Sequence, residues 1–234
     1  WLSAGASWRV VLYVLSAVVL AAFLICALVF AREGVKLPGS TAPRERITKQ
    51  GLDAFVRQKG NLMVVLCAVL YCAHLACLYL WVNRIIGVGF GNPGFGAAAL
   101  SLFWVGTVIS RLLVPLAGVS TVRYMRYGML LTTAVLAASV VIGNAIAVCV
   151  AAALSGLISG AAIPMILSEM GRRNPQRSML AITSVLLTTA LSAMICAPLI
   201  GFIVGKTSLL SAMAVSAVFA LGAALCAFGI REAS

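Results

Sequence analysis

His74 is the only histidine of the 234 residues. It stands at the midpoint of the apolar run Leu62–Ile86. An imidazole at that depth can hydrogen-bond a hydroxyl or take up a proton, and burial tunes which. At helical spacing Tyr71, His74, Leu78, Trp81 and Ile85 fall on one face. Tyr71 and Trp81 add flat apolar rings with one polar tip, which suits stacking on a sugar ring or an organic solute. The same face suits core packing, with His74 neutral and bonded to a neighbouring helix. The spacing admits both readings.

Arg111 is the second candidate. It lies inside the apolar stretch SLFWVGTVISRLLVPLAG, residues 101–118. An arginine at the centre of a membrane helix costs roughly 2.5–3.5 kcal/mol on insertion scales. Three roles would offset that cost. The side chain reaches the headgroups, or it pairs with helix-end carbonyls or a loop acid such as Glu169 as a gate latch, or it faces a cavity and binds an anionic or polyhydroxy solute. On a helical wheel Trp104, Arg111 and Pro115 share a face, with Thr107 beside it. Gly106 and Ser110 lie opposite, a small-xxx-small pair that lets another helix approach closely. Gly156 with Gly160, and Gly201 with Gly205, repeat that spacing.

All five acids, Glu33, Glu45, Asp53, Glu169 and Glu232, fall in loops or at helix ends. The apolar runs therefore hold no carboxylate. The seven cysteines lie within apolar runs, and the five-residue spacing of Cys67, Cys72 and Cys77 spreads them around a helix. No metal site and no cofactor is implied. With no paired intramembrane acids and no Ser-His motif at a sensible depth, the chain does not read as an enzyme.

These residues need elements that hold them in lipid. Hydrophobic residues are 63% of the chain and charged residues 9%, against about 25% charged in soluble domains. So much apolar surface belongs in a bilayer. Seven runs approach the roughly 20 residues that a spanning helix needs. They are 8–30, 62–86, 95–116, 127–142, 145–167, 179–204 and 209–230. No period-2 alternation appears, so they read as helices of an all-α, polytopic bundle. Gly143 and Asn144 alone separate the fourth from the fifth, a tight hairpin in which Asn144 makes the turn. Residues 31–61 form the longest gap, a Pro/Gly/Ser-rich linker followed by a segment with Leu52, Phe55 and Val56 on one side and Arg57 and Lys59 on the other. That segment reads equally as an amphipathic helix on the lipid surface or as plain linker.

Net charge is +12. In a soluble protein that would point to nucleic acid; here it orients the chain. With the long gap in the cytoplasm, only Arg9, Arg84 and Lys206 of the 17 basic residues fall outside, and Arg111 falls in the membrane. The rest gather inside, as cytoplasmic loops do. The N-terminus is then outside and the C-terminus inside. Asn83 and Arg84 belong near the outer headgroups. The first residue is Trp and no signal peptide is evident, so the chain reads as a fragment of a longer protein.

One outside-to-inside helix, a long basic cytoplasmic loop and six further helices resemble the second half of a major facilitator superfamily transporter, from its sixth helix on. SWRVVLYVLSAVVL (7–20) is similar to the family's sixth-helix start, GLISGAAIPMILSEM (156–170) to its Gly-rich, proline-broken tenth helix, and APLIGFIVG (197–205) to its eleventh. A narrower resemblance, to the fucose-permease-like branch, rests on YCAHLACLYLWVNRI (71–85) and on Leu102, Phe103, Trp104, Gly106 and Arg111. Ser110 stands where that branch has Gly. His74 lies near the place of its seventh-helix acid, which is absent here.

The resemblance implies twelve helices in two bundles, a site between them at mid-membrane, and alternating access. In that frame residues 1–30 are the sixth helix, 31–61 the linker, and 62–234 the C-terminal bundle. His74, Tyr71, Trp81 and Trp104 are the substrate-site candidates, and Arg111 and Glu169 the gating charges. The partners implied are a small solute, a coupling proton or sodium ion, the lipid bilayer and an N-terminal half, with no nucleic acid. A bacterial cytoplasmic membrane is the expected setting. Uptake of a sugar-like solute and efflux of a drug or metabolite both fit. From other classes, a non-transporting scaffold fits a half-length chain. A seven-helix retinal receptor does not, because the only lysine near the last span is Lys206 at its outer edge.

Overall fold

The computed structural model describes residues 8–32 and 59–230. Seven helices among them are long and apolar enough to cross a membrane, and no strand occurs among them. The chain is an integral, all-helical membrane protein. It divides into two units, 1–46 and 47–234. The first contributes α1, Trp8–Arg32, a single 25-residue helix. The linker segment with Leu52, Phe55, Val56 and Arg57 lies outside the described residues.

The second unit holds α2 (Lys59–Arg84), α3 (Pro93–Leu116), α4 (Thr121–Ile142), α5 (Ala145–Ser159), α6 (Ala162–Arg173), α7 (Ser178–Lys206) and α8 (Ser211–Phe228). Their ends follow from local chemistry. Asn92 caps α3 by accepting from the Phe95 N–H at 3.2 Å, and Pro93 needs no donor partner in the first turn. Ser120 caps α4 by accepting from the Arg123 N–H. Gly143 ends α4 in the left-handed conformation, φ 64°, and Asn144 then caps α5 by accepting from the Ala147 N–H at 2.8 Å. The α4–α5 hairpin is therefore two complementary caps in succession. The fourth span starts earlier than the apolar run suggested, at Thr121, because Ser120 and not hydropathy sets its start. The fifth span corrects the sequence reading further. It is two helices, α5 and α6, broken at Gly160–Ala161.

α2 is the central helix and packs against α3, α5, α6, α7 and α8. α5 packs on α3 and α4, and α8 on α2 and α4. Between membrane helices there is little hydrophobic gain, so close packing must supply the attraction. The contacts show how it is reached. α8 buries Ala220, Ala223, Ala224 and Ala227 at 0% exposure. Short side chains let its backbone approach near enough for the Cys67 thiol of α2 to donate to Ala223 O at 3.2 Å. Ser192 of α7 likewise donates to Val69 O of α2 at 2.8 Å. Gly96 admits Asn83: a Cβ there would lie 2.6 Å from Asn83 Oδ1.

At one end of the bundle polar groups close the helix termini. Glu169 receives Arg172 at 2.8 Å and Arg173 at 2.7 Å. Asn61 and Asn174 exchange amide hydrogen bonds of 3.1 and 3.2 Å between the start of α2 and the end of α6. Arg126 of α4 donates through Nε to Ala227 O at 3.0 Å and through Nη2 to Ile230 O at 2.6 Å. A cation thus sits at the C-terminal end of α8, where Ala227 O also accepts from the Ile230 N–H at 3.2 Å. Sequence reading gave Arg126 only a topological role. Arg126→Gln is expected to destabilise by about 1–2 kcal/mol. That should lower the melting temperature of the purified full-length protein by roughly 2–8 °C; an unchanged value would remove the cap from the argument.

Candidate functional site

Pro164 creates the site. It has no N–H, so the carbonyl of Gly160, four residues earlier, has no donor in its own helix. A membrane helix tolerates such a group only if a neighbour satisfies it. Arg111 of α3 does so, donating from Nε to Gly160 O at 3.2 Å. On the other side of the break, the Ala161 N–H donates to Ser110 Oγ at 3.1 Å and to Tyr124 Oη at 3.2 Å. These two hydroxyls also bond each other at 3.2 Å. Tyr71 of α2 donates to Ser159 O at 2.8 Å. Side chains from α2, α3 and α4 therefore hold backbone groups of three successive residues at the break. Pro198 makes a useful contrast. It lies inside α7, and that helix continues unbroken to Lys206. A proline alone does not interrupt a span here; Gly160 and the donors around it complete the break.

Glycine brings α3 close enough to supply those donors. A Cβ on Gly106 would lie 2.8 Å from Ala153 O and from Leu157 N. One on Gly160 would lie 2.6 Å from Thr107 Cα, and one on Gly156 would overlap the Phe103 carbonyl oxygen. These are backbone contacts, which cannot swing aside. Gly106, Gly156 and Gly160 thus form one seam between α3 and α5, with Ser110 continuing it to the break. Gly201 and Gly205 differ from the expectation. A Cβ on Gly201 would meet only Trp81, at 3.9 Å, and one on Gly205 would meet nothing within 4 Å. The spacing is the same, but no backbone approaches it among the described residues.

The other candidates separate. Burial divides α3 into a covered side with Phe103, Gly106, Thr107 and Ser110 and an open side with Trp104 and Arg111. Thr107 belongs to the covered side, donating to Phe103 O at 3.0 Å. Trp104 is 46% exposed, with Phe103 edge-on at 5.1 Å and Tyr79 at 6.4 Å between ring centroids. Trp81 is partly buried beneath Arg84, whose guanidinium lies 5.5 Å from its ring. Tyr71 and His74 are 1% and 0% exposed, inside the bundle that the described residues form. Their face of α2 is its core face. Its central position among five helices, invisible in a single run of sequence, decides this. Glu169 does not pair with Arg111, because Arg172 and Arg173 already hold it. Of the three roles weighed for Arg111, the bond is to a helix-end carbonyl, not to that acid.

Two participants were missed in the sequence. Tyr124 falls in the gap between the apolar runs 95–116 and 127–142, whereas α4 starts at Thr121 and carries it inward. Pro164 was noted as a breaker without its consequence for Gly160. Its distance of four from Gly160, with Arg111 as the stray charge, was the available signal. No protein-family model matches the chain, and no curated protein is similar to it in sequence.

Proposed function

We propose that the chain is the C-terminal half of a secondary or facilitative transporter of the major facilitator type, moving a small solute by alternating access. One observation carries this reading: a membrane span interrupted at Gly160–Ala161, with its freed backbone groups held by Tyr71, Ser110, Arg111 and Tyr124. Transporters place substrate and ion sites at discontinuous helices, where unwound backbone lies beside a cavity. The order of the spans and the asymmetry of Lys and Arg favour the same reading, with the C-terminus in the cytoplasm. In it the open side of α3 faces the N-terminal bundle. Trp104 offers a ring to the solute there. The guanidinium of Arg111, anchored through Nε, offers its outer N–H groups to a carboxylate or to hydroxyls. The solute is then an organic acid or a sugar-like molecule rather than a lipophilic cation, which Arg111 would repel.

The test uses the full-length protein in proteoliposomes, with native cysteines replaced and Trp104→Cys introduced. An impermeant maleimide should reach that cysteine from both sides. A transported solute, found by counterflow among sugars, organic acids and lipophilic cations, should shift the two rates in opposite directions. Labelling from one side only, insensitive to every solute, would sink the reading in favour of a static scaffold.

A further inference from the structure

The apolar interior of the α2–α8 bundle is in two pieces. One gathers around Leu78, Leu136, Ala152 and Met213. The other gathers around Tyr71, Met129, Ala162 and Ala223. Near their junction each of four helices carries a fully buried polar residue: His74 on α2, Thr132 on α4, Ser155 on α5 and Ser216 on α8, all 0% exposed. Contacts between the helices fix their level. His74 Nδ1 lies 2.8 Å from Ser216 Oγ. Tyr71 reaches Ser159 O, so one turn further along two antiparallel helices His74 and Ser155 come level. A Cβ on Gly128 would lie 3.6 Å from Ile158 O, so one turn further Thr132 and Ser155 come level.

Proton counting then assigns the tautomer. Ser216 Oγ donates to His74 O at 3.1 Å, which uses its one proton. It must therefore accept from Nδ1–H, and Nε2 of the neutral ring is a bare acceptor. Nε2, Thr132 Oγ1 and Ser155 Oγ are the three buried side-chain atoms without a hydrogen-bond partner among the described residues. Native interiors rarely leave such groups unpaired, and three at one level is a pattern rather than an accident.

We propose that His74, Thr132 and Ser155 form an internal site for a water molecule, set between the two halves of the core. Three polar partners match what a buried water uses. Water can donate to Nε2 and exchange hydrogen bonds with both hydroxyls, which no pair of these side chains does directly. A metal cation fits poorly, because Glu169, the acid among the described residues, is already held by Arg172 and Arg173. The site lies inside one bundle and does not depend on the transport reading.

The sign of two substitutions tests it, in the full-length protein in nanodiscs. With water bound, Thr132→Val and Ser155→Ala each remove a partner and should lower the melting temperature by about 2–4 °C. If the layer is dry, each removes an unsatisfied hydroxyl, and the melting temperature rises or stays unchanged; either result overturns the proposal. A second readout does not depend on the stability of those two variants. In protein carrying 15N-histidine, the His74 signal, identified by its loss in His74→Gln, should show a neutral ring protonated at Nδ1. Nε2 should accept a hydrogen bond and receive magnetisation from water. A bare Nε2 with no transfer from water overturns the site.

Discussion

Gly156→Ala should be among the most damaging single-methyl additions to this chain. The added carbon would overlap the Phe103 carbonyl oxygen and lie 3.2 Å from Phe103 Cα. Neither atom belongs to a side chain that can rotate away. α3 and α5 must then separate, and dispersion falls steeply with distance. Separation also draws Ser110 and Arg111 away from Ala161 and Gly160, so the packing loss carries hydrogen bonds with it. Overpacking costs about 1–3 kcal/mol in general, and this position belongs at or above the top of that range. In the full-length protein the expected loss is roughly 6–12 °C of melting temperature. Gly205→Ala is the internal control. It has the same residue type and spacing, but nothing lies within 4 Å of the added carbon. There the lower helix propensity of Gly should dominate, and Ala should be neutral or stabilising by up to about 1 kcal/mol. Equal effects at the two positions would mean that α3 and α5 do not meet at their backbones.

Arg111→Met should be costly with Pro164 present and cheap without it. The substitution keeps an apolar stem and removes the donor to Gly160 O. A carbonyl left unpaired in the membrane costs about 1–3 kcal/mol. Measured interhelical hydrogen bonds in membranes average nearer 0.6 kcal/mol. A charged donor to an acceptor with no helical alternative belongs near the top of that spread, at about 1–2 kcal/mol. Pro164→Ala restores the missing N–H, so Gly160 O gains a partner within its own segment. In that background Arg111→Met should cost at least about 1 kcal/mol less, a coupling that a double-mutant cycle reads directly. Arg111→Lys should fall between, since an ammonium cannot reproduce the directed Nε–H. If Arg111→Met costs the same in both backgrounds, the carbonyl is not what Arg111 serves. Under the proposed function, Pro164→Ala should also slow transport while leaving the protein well folded, because it closes the break.

How far the residues alone could lead is clearest at two places. For α3, wheel geometry on SLFWVGTVISRLLVPLAG already separates Gly106 and Ser110 from Trp104 and Arg111. Helical periodicity is a local property, so any helix of that sequence has those two faces. Thr107 sits near the boundary, and the closeness of α5 was needed to assign it. For α2 the same geometry grouped Tyr71, His74 and Trp81 correctly on one face but could not say what the face meets. A membrane span is apolar on its lipid side and on its core side alike, so hydropathy gives no inward direction. Five neighbours around α2 place that face in the middle of the bundle.

The number of spans, the hairpin at Gly143–Asn144 and the asymmetry of basic residues are all readable from residue order. They depend on lipid thickness, on caps within a few residues and on loop composition, none of which needs a distant partner. The broken span, the partner of Arg111 and the polar layer at His74 are not readable that way. Each joins residues tens of positions apart, such as Arg111 to Gly160 and His74 to Ser216. Two glycine pairs of identical spacing show the same limit, one pressed against the backbone of α3 and one that no backbone approaches among the described residues. Spacing says where a helix permits close approach, and only the packed neighbour determines whether anything arrives.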